Sequence, residues 1–146
     1  MGHATGLAEV SNILKIPLVQ AVCETGANED WLDGFAYFED IAETIPISLV
    51  GISFEMEMRT VAADPTVVLH ATTFDGSLSV ASYPPPTDVP GGIQVTQNCL
   101  QLNVPVTAMM HVPPGTYAFD IVAKADGRTR VVVQGTAAVI LQGYTR

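Results

Sequence analysis

The chain has 146 residues and a mass of 15.5 kDa, the size of one domain, and a chain this long buries roughly 70% of its unfolded surface, so it can hold a core without disulfides or metal. It is apolar, with 14% charged and 48% hydrophobic residues, yet no run approaches the ~20 apolar residues of a spanning helix and no basic, then apolar, opening marks a signal peptide. The net charge of −9 is lopsided, since residues 1–58 carry ten acidic side chains against Lys15 alone and residues 59–146 carry five of each sign; such a chain repels phosphate backbones and anionic lipid, which argues against nucleic-acid and membrane partners.

Residues 1–11 read as a flexible N-terminus or a cloning scar, and 12–146 as a single domain. "ILKIPLVQAV" (13–22) is strand-like, but Pro17 demotes it to an edge. "WLDGFAYFE" (31–39) is an aromatic-rich strand. "ISFEMEMR" (52–59) fits a period of two throughout: Ile52, Phe54, Met56 and Met58 form one face, and Ser53, Glu55, Glu57 and Arg59 the other. "TVVLHATTFDGSLSVAS" (66–82) reads as a hairpin on a two-residue type I′ turn, Asp75-Gly76. That register sets Thr73 against Leu78 and Ala71 against Val80, and points His70 away from the apolar face.

"YPPPTDVPGG" (83–92) is a loop. "CLQLNVPV" (99–106) alternates Leu100, Leu102, Val104 and Val106, and "VTAMMH" (106–111) allows a single helical turn. "YAFDIVAKADGRTRVVVQGTAAV" (117–139) is a second hairpin. A two-residue Asp126-Gly127 loop would set Phe119 against Gln134 and Ala123 against Arg130, a poor core. A three-residue loop, Ala125-Asp126-Gly127, sets Phe119 against Val133 and Ile121 against Val131 and keeps Arg128 and Arg130 outward. The expectation is therefore an odd-length loop with Gly127 left-handed as its bulge residue. Short strands separated by turn signals predict an all-β fold, an antiparallel immunoglobulin-like sandwich of about seven to eight strands.

"HVPPGTYAFD" (111–120) places a histidine, a tyrosine and an aspartate within ten residues. Its spacing fits a tyrosine corner, in which a tyrosine at the start of a late strand bonds back to upstream backbone. Gly115-Thr116-Tyr117-Ala118-Phe119 matches the immunoglobulin pattern Gly-x-Tyr-x-Cys, with Phe119 where the disulfide cysteine would stand. Pro113-Pro114 stiffens the approach, and Gly115 permits the turn. The Tyr117 hydroxyl is expected to bond to backbone before Pro113.

"PPGTYAFDIVAKADGRTRVVVQGTAAV", followed by "GYTR", resembles the C-terminal part of small β-sandwich proteins of tailed bacteriophages and prophages. "EDWLDGFAYFED" and "IPISLVGISFEMEMR" resemble their entry strands. The layout is similar to the domain at the start of phage upper baseplate and fibre-adaptor proteins, over about residues 28–146, with "YPPPTDVPGG" as a departure. The resemblance implies a structural tail or baseplate component, located in the virion tail or in the bacterial cytoplasm before assembly. It brings no catalytic residues and no cofactor.

The residues themselves offer little chemistry. His3, His70 and His111 are scattered, without metal-ligand spacing. Glu55 and Glu57 share a strand face with Ser53 and Arg59, as on a solvated surface. "ETGANEDWLDG" (24–34) lacks the spacing of a calcium loop. There is no nucleophile elbow and no phosphate loop. Cys23 and Cys99, without an export signal, are expected to be free thiols. No catalytic, cofactor or metal residue is assigned, and the chain is not expected to be an enzyme. The expected partners are copies of itself or other tail proteins, meeting at Val122 and Val132 on the C-terminal strands and at the loop Tyr83, Pro84, Pro85 and Pro86. The alternative is a carbohydrate- or receptor-binding sandwich using Trp31, Tyr37 and Tyr83.

Overall fold

The computed structural model describes residues 11–83 and 96–141. After a 3₁₀ turn at Ile13–Lys15 come β1 (Val19–Gly26), β2 (Trp31–Ala36), β3 (Ser53–Arg59), β4 (Leu69–Thr72), β5 (Leu78–Ala81) and β6 (Cys99–Val104). A helical turn, α1 (Val106–Met109), leads to β7 (Gly115–Ala125) and β8 (Arg128–Ile140). The strands form a five-stranded sheet, β1-β8-β7-β3-β4, and a three-stranded sheet, β2-β6-β5. This is the all-β sandwich that the strand periodicity predicts, in the strand order of an immunoglobulin-like fold. One pair departs from the antiparallel expectation: β1 runs parallel to β8, from Val19↔Val133 to Gly26↔Ile140.

Alternation explains the core. On β3, Phe54, Met56 and Met58 are buried while their neighbours are half-buried. The second layer contributes Trp31, Phe35, Leu78, Leu100, Leu102 and Val104. Trp31 of β2 meets Phe119 of β7 edge-on, with ring centroids 5.8 Å apart at 83°. These strands correspond to the two that a disulfide joins in antibody domains, so an aromatic pair links the layers where that bond would be. Cys23 and Cys99 are buried and free, as expected. β1 lies at the edge of its sheet, with Pro17 in the approach, also as expected.

Two register predictions need correction. The β7–β8 loop has two residues, not three: Ala125 pairs with Arg128 and Ala123 with Arg130. Asp126 and Gly127 both adopt positive φ, 56° and 72°, as a type I′ turn requires. In a continuous ladder, the arrangement that puts Ala123 opposite Arg130 would carry the wrong side chains onward to Phe119. A bulge inside the strand removes that difficulty. Ile121 pairs with Val133 but Val122 with Val131, so Val132 is the extra residue and Phe119 reaches Gly135. Gly127 is left-handed as expected, but the bulge is at Val132. A bulge also resets which way side chains point. Val132 is therefore fully buried beside Val133, not outward, while Arg128 and Arg130 remain exposed as expected.

Asp75-Gly76 does not close a hairpin. β4 pairs with β3, and β5 pairs with β6 in the other sheet, so this turn is a crossover between layers. Gly76 has φ +84°, but Asp75 is not left-handed, as type I′ geometry demands. Asp75 instead accepts the Ser77 N–H at 2.8 Å through its side chain, and its own N–H donates to the Thr72 hydroxyl at 3.1 Å. The aspartate makes an Asx turn, which redirects the chain without returning it antiparallel. Thr73 stays with β3, its N–H donating to the Phe54 carbonyl at 3.1 Å.

The tyrosine corner is present in modified form. Tyr117 is buried and its hydroxyl donates to the Pro113 carbonyl, 2.5 Å away, rather than to backbone before Pro113. Gly115 is the first residue of β7, and the preceding turn is made by α1 and its continuation. There Met110, His111 and Val112 donate to the carbonyls of Val106, Ala108 and Met109. "HVPPGTYAFD" is thus a structural junction, with His111 on the exposed turn.

Candidate functional site

The outer face of the five-stranded sheet collects the polar chemistry of the described residues. It follows from alternation: Glu55, Glu57 and Arg59 project outward from β3 because their neighbours enter the core. The flanking strands add His70 and Thr72 from β4, and Asp120, Val122 and Lys124 from β7. The register places Glu57 between His70 and Asp120, and Glu55 between Thr72 and Val122.

Ion pairs cross this face. His70 Nε2 lies 2.6 Å from Glu55 Oε2, and Lys124 Nζ lies 2.9 Å from Glu55 Oε1. Arg59 reaches Glu57 Oε1 at 2.6 Å. Hydrogen bonds from His70 and then Lys124 hold the Glu55 carboxyl below the usual range. Asp120 behaves oppositely. Burial raises it, Glu57 adds to the rise, and Arg59 opposes both. Asp120 borders a shallow cleft of about 180 Å³ together with Glu57, Arg59, Gln134 and Thr136.

His70 is therefore not isolated, as sequence spacing suggests. Potential ligand atoms of Glu55, Glu57 and His70 all lie within 4.8 Å of one another. The signal was in the sequence but depended on pairing. Joining β4 to β5 by a hairpin hides the neighbour relation, whereas joining β4 to β3 sets His70 directly opposite Glu57. The face that reads as a solvated strand surface is thus an ordered charge network.

The cysteines are not reactive groups. Cys23 is pushed up to about 12 by burial, then by the charge of Asp33 and a hydrogen bond to it; burial also raises Cys99. A thiol held protonated is a poor nucleophile. The acidic loop before β2 is committed to backbone. Glu29 accepts from Gly26 N–H at 3.1 Å, and Asp30 accepts from Val106 N–H at 2.7 Å, tying the loop to the start of α1.

The predicted contact residues are dispersed. Val122 is half-buried on the outer sheet face, and its bulge partner Val131, 40% exposed, occupies the outward place expected for Val132. Tyr83 is 52% exposed and is held by buried Asn98, whose side chain takes the Tyr83 N–H at 2.8 Å and donates to its carbonyl at 3.1 Å. Pro84, Pro85 and Pro86 lie outside the described residues. Trp31 and Tyr37, named for sugar binding, are both core residues, each 1% exposed. The Trp31 indole N–H donates to Asp33 at 2.9 Å, and the Tyr37 hydroxyl donates to the Val132 carbonyl at 2.8 Å.

No helix among the described residues is long and apolar enough to cross a membrane. No protein-family model matches the chain, and no curated protein matches it.

Proposed function

We propose that this chain is a structural assembly module, a tail or baseplate component of a tailed phage or prophage that works by docking to copies of itself or to neighbouring tail proteins. The observation that carries the assembly reading is the exposed apolar surface at the β1 edge. β1 is an eight-residue edge strand whose outward Val22 is 90% exposed. Natural edge strands are usually short, charged with lysine or covered. At the far end of the β1–β8 pair, Ile140 opposite Gly26 is 37% exposed, and Leu141 just past the end of β8 is 71% exposed. An edge of this kind suits addition of a partner's strand or packing of a partner's apolar surface. The phage assignment itself rests on the resemblance of the segments that form β2, β3, β7 and β8.

Light scattering coupled to size exclusion tests the assembly reading. A mass above 15.5 kDa that falls on dilution, and that Val22→Lys reduces to the monomer, supports self-association. A monomer at every concentration removes self-association and leaves assembly with another tail protein. Genes encoding tail proteins on either side support the tail assignment, and metabolic or surface-receptor genes there count against it. The carbohydrate reading keeps only Tyr83 of its three aromatics as an exposed platform, and a glycan array tests it directly.

A further inference from the structure

Glu55 and Glu57 lie two residues apart on β3, so both project from the outer face. β4 presents His70 directly opposite Glu57. Three side chains from two rigid, paired strands thus bring one imidazole nitrogen and two carboxylates within 4.8 Å of one another. We propose that Glu55, Glu57 and His70 form a binding site for a divalent first-row transition ion of the Zn²⁺ type, with three protein ligands and a fourth position open to water.

The dimensions fit after small side-chain rotations. Zinc takes histidine nitrogen and carboxylate oxygen at about 2.0–2.2 Å, which sets ligand atoms of a tetrahedral shell roughly 3.3 Å apart. His70 Nε2 and Glu55 Oε2 are now 2.6 Å apart, close enough to share a hydrogen. An ion entering between them takes the place of that hydrogen: His70 ligates through Nε2 as a neutral imidazole with its single N–H on Nδ1, and any second proton is released to water. His70 has 47% of its side chain exposed and Glu55 29%, so an ion reaches them from solvent.

The neighbouring cations do not close the site. Lys124 and Arg59 each hold Oε1 of their glutamate, leaving Oε2 of each carboxylate for an ion. An ion bound through Oε2 leaves both pairs in place. Their hydrogen bonds also orient the carboxylates, as outer-shell partners of metal ligands do. The imidazole sets the selectivity. Magnesium and calcium prefer oxygen-only shells, whereas a mixed imidazole and carboxylate set suits zinc, iron and nickel. This inference does not depend on the assembly reading.

The full-length chain carrying His3→Ala, which removes a competing imidazole, would be titrated with Zn²⁺ by calorimetry and by NMR of the histidine ring nitrogens. The expected result is one equivalent per chain, a shift of the His70 Nε2 resonance, and no displacement by excess Mg²⁺ or Ca²⁺. His70→Ala and Glu57→Gln should each weaken binding at least tenfold. His111→Ala should leave it in place. His70 and His111 are exposed and Glu57 is half-buried, and metal-free melting curves of the variants establish that they fold. No binding, binding indifferent to both His70→Ala and Glu57→Gln, binding lost with His111→Ala, or equal binding of Ca²⁺ would each overturn the site.

Discussion

Gly135 provides the sharpest test of how β1 is held. It pairs with Ala21 across the parallel β1–β8 ladder and with Phe119 on β7. A Cβ built on Gly135 would lie 1.8 Å from the Ala21 carbonyl oxygen and 2.7 Å from its carbon. Ordinary C···O contacts are about 3.3 Å or more, so Gly135→Ala pushes β1 back by about 1.5 Å at that point. Hydrogen bonds near 2.9 Å do not survive such a displacement. Overpacking alone costs about 1–3 kcal/mol. One or two lost ladder bonds add about 1 kcal/mol each, for a total of about 2–5 kcal/mol.

For a domain of this size each kcal/mol lowers Tm by roughly 3–4 °C, so Gly135→Ala should melt about 6–20 °C below the parent by circular dichroism. Hydrogen exchange should accelerate at the β1 amides, while β2 and β6, in the other sheet, keep their protection. Gly34→Ala is the control, because its Cβ meets Cys99 Sγ at an ordinary 3.5 Å, and it should shift Tm little. A Gly135→Ala protein that melts within 2 °C of the parent (roughly 0.6 kcal/mol), with β1 still protected, would refute the close approach.

Tyr37→Phe takes the hydroxyl from the Val132 carbonyl in a fully buried setting, so it should cost about 1–3 kcal/mol by urea denaturation. Tyr117→Phe, at the more open Pro113 contact, should cost less, about 0.5–1.5 kcal/mol; the reverse order would undo the view that Tyr37 serves the bulge. Thiol titration should find two free groups per denatured chain and negligible reaction in the folded protein at neutral pH, since both thiols are buried and raised; rapid folded-state labelling would contradict this. Asp40, Asp64 and Asp126 are held below the usual carboxylate range by hydrogen bonds, from Thr44, Thr66 and Ser11 in first place. Folded values below unfolded values mean that their contribution is complete above the ordinary carboxylate pKa and is lost as pH falls through the folded value. Tm should therefore drop on acidification below about pH 4, and Ser11→Ala should flatten that drop; an acid limb unchanged in the variant would remove Asp126 from the account.

Within one strand, the sequence was easy to read. "ISFEMEMR" alternates without interruption, and β3 buries the predicted set because a strand half-buried in a sandwich has no other solution. Pro17 placed β1 beside an edge for an equally local reason, the missing amide donor. Tyr117 was found because a corner is a short-range motif, although the acceptor fell at Pro113. What periodicity does not carry is the identity of the partner strand. Asp75-Gly76 satisfies hairpin chemistry and crossover chemistry alike, and the choice depends on whether Asp75 uses its backbone in a left-handed conformation or its side chain in an Asx turn. The latter frees β4 to join β3, which is the event that assembles Glu55, Glu57 and His70.

The β7–β8 loop shows the same limit from the other side. A continuous register forces a choice between good turn chemistry at Asp126-Gly127 and good packing at Phe119. The fold has both because Val132 breaks the ladder. The break leaves two consecutive valines, Val132 and Val133, buried on one strand, and a strand with strict alternation cannot do that. "VVVQG" carries the clue, since three successive valines fit no single period-two face and Gly135 follows where the strand must meet both Phe119 and Ala21. The bulge exposes a backbone carbonyl to the core at Val132, and Tyr37, from the opposite layer, donates its hydroxyl there. The hydroxyl of an aromatic residue expected to face a sugar is thus committed to a main-chain irregularity ninety-five residues away. Outward valine then moves to Val131, beside Val122 and at the border of the charged array. Any partner that docks on this face meets an apolar pair flanked by Glu55 and Lys124, a surface set by one extra residue in β8.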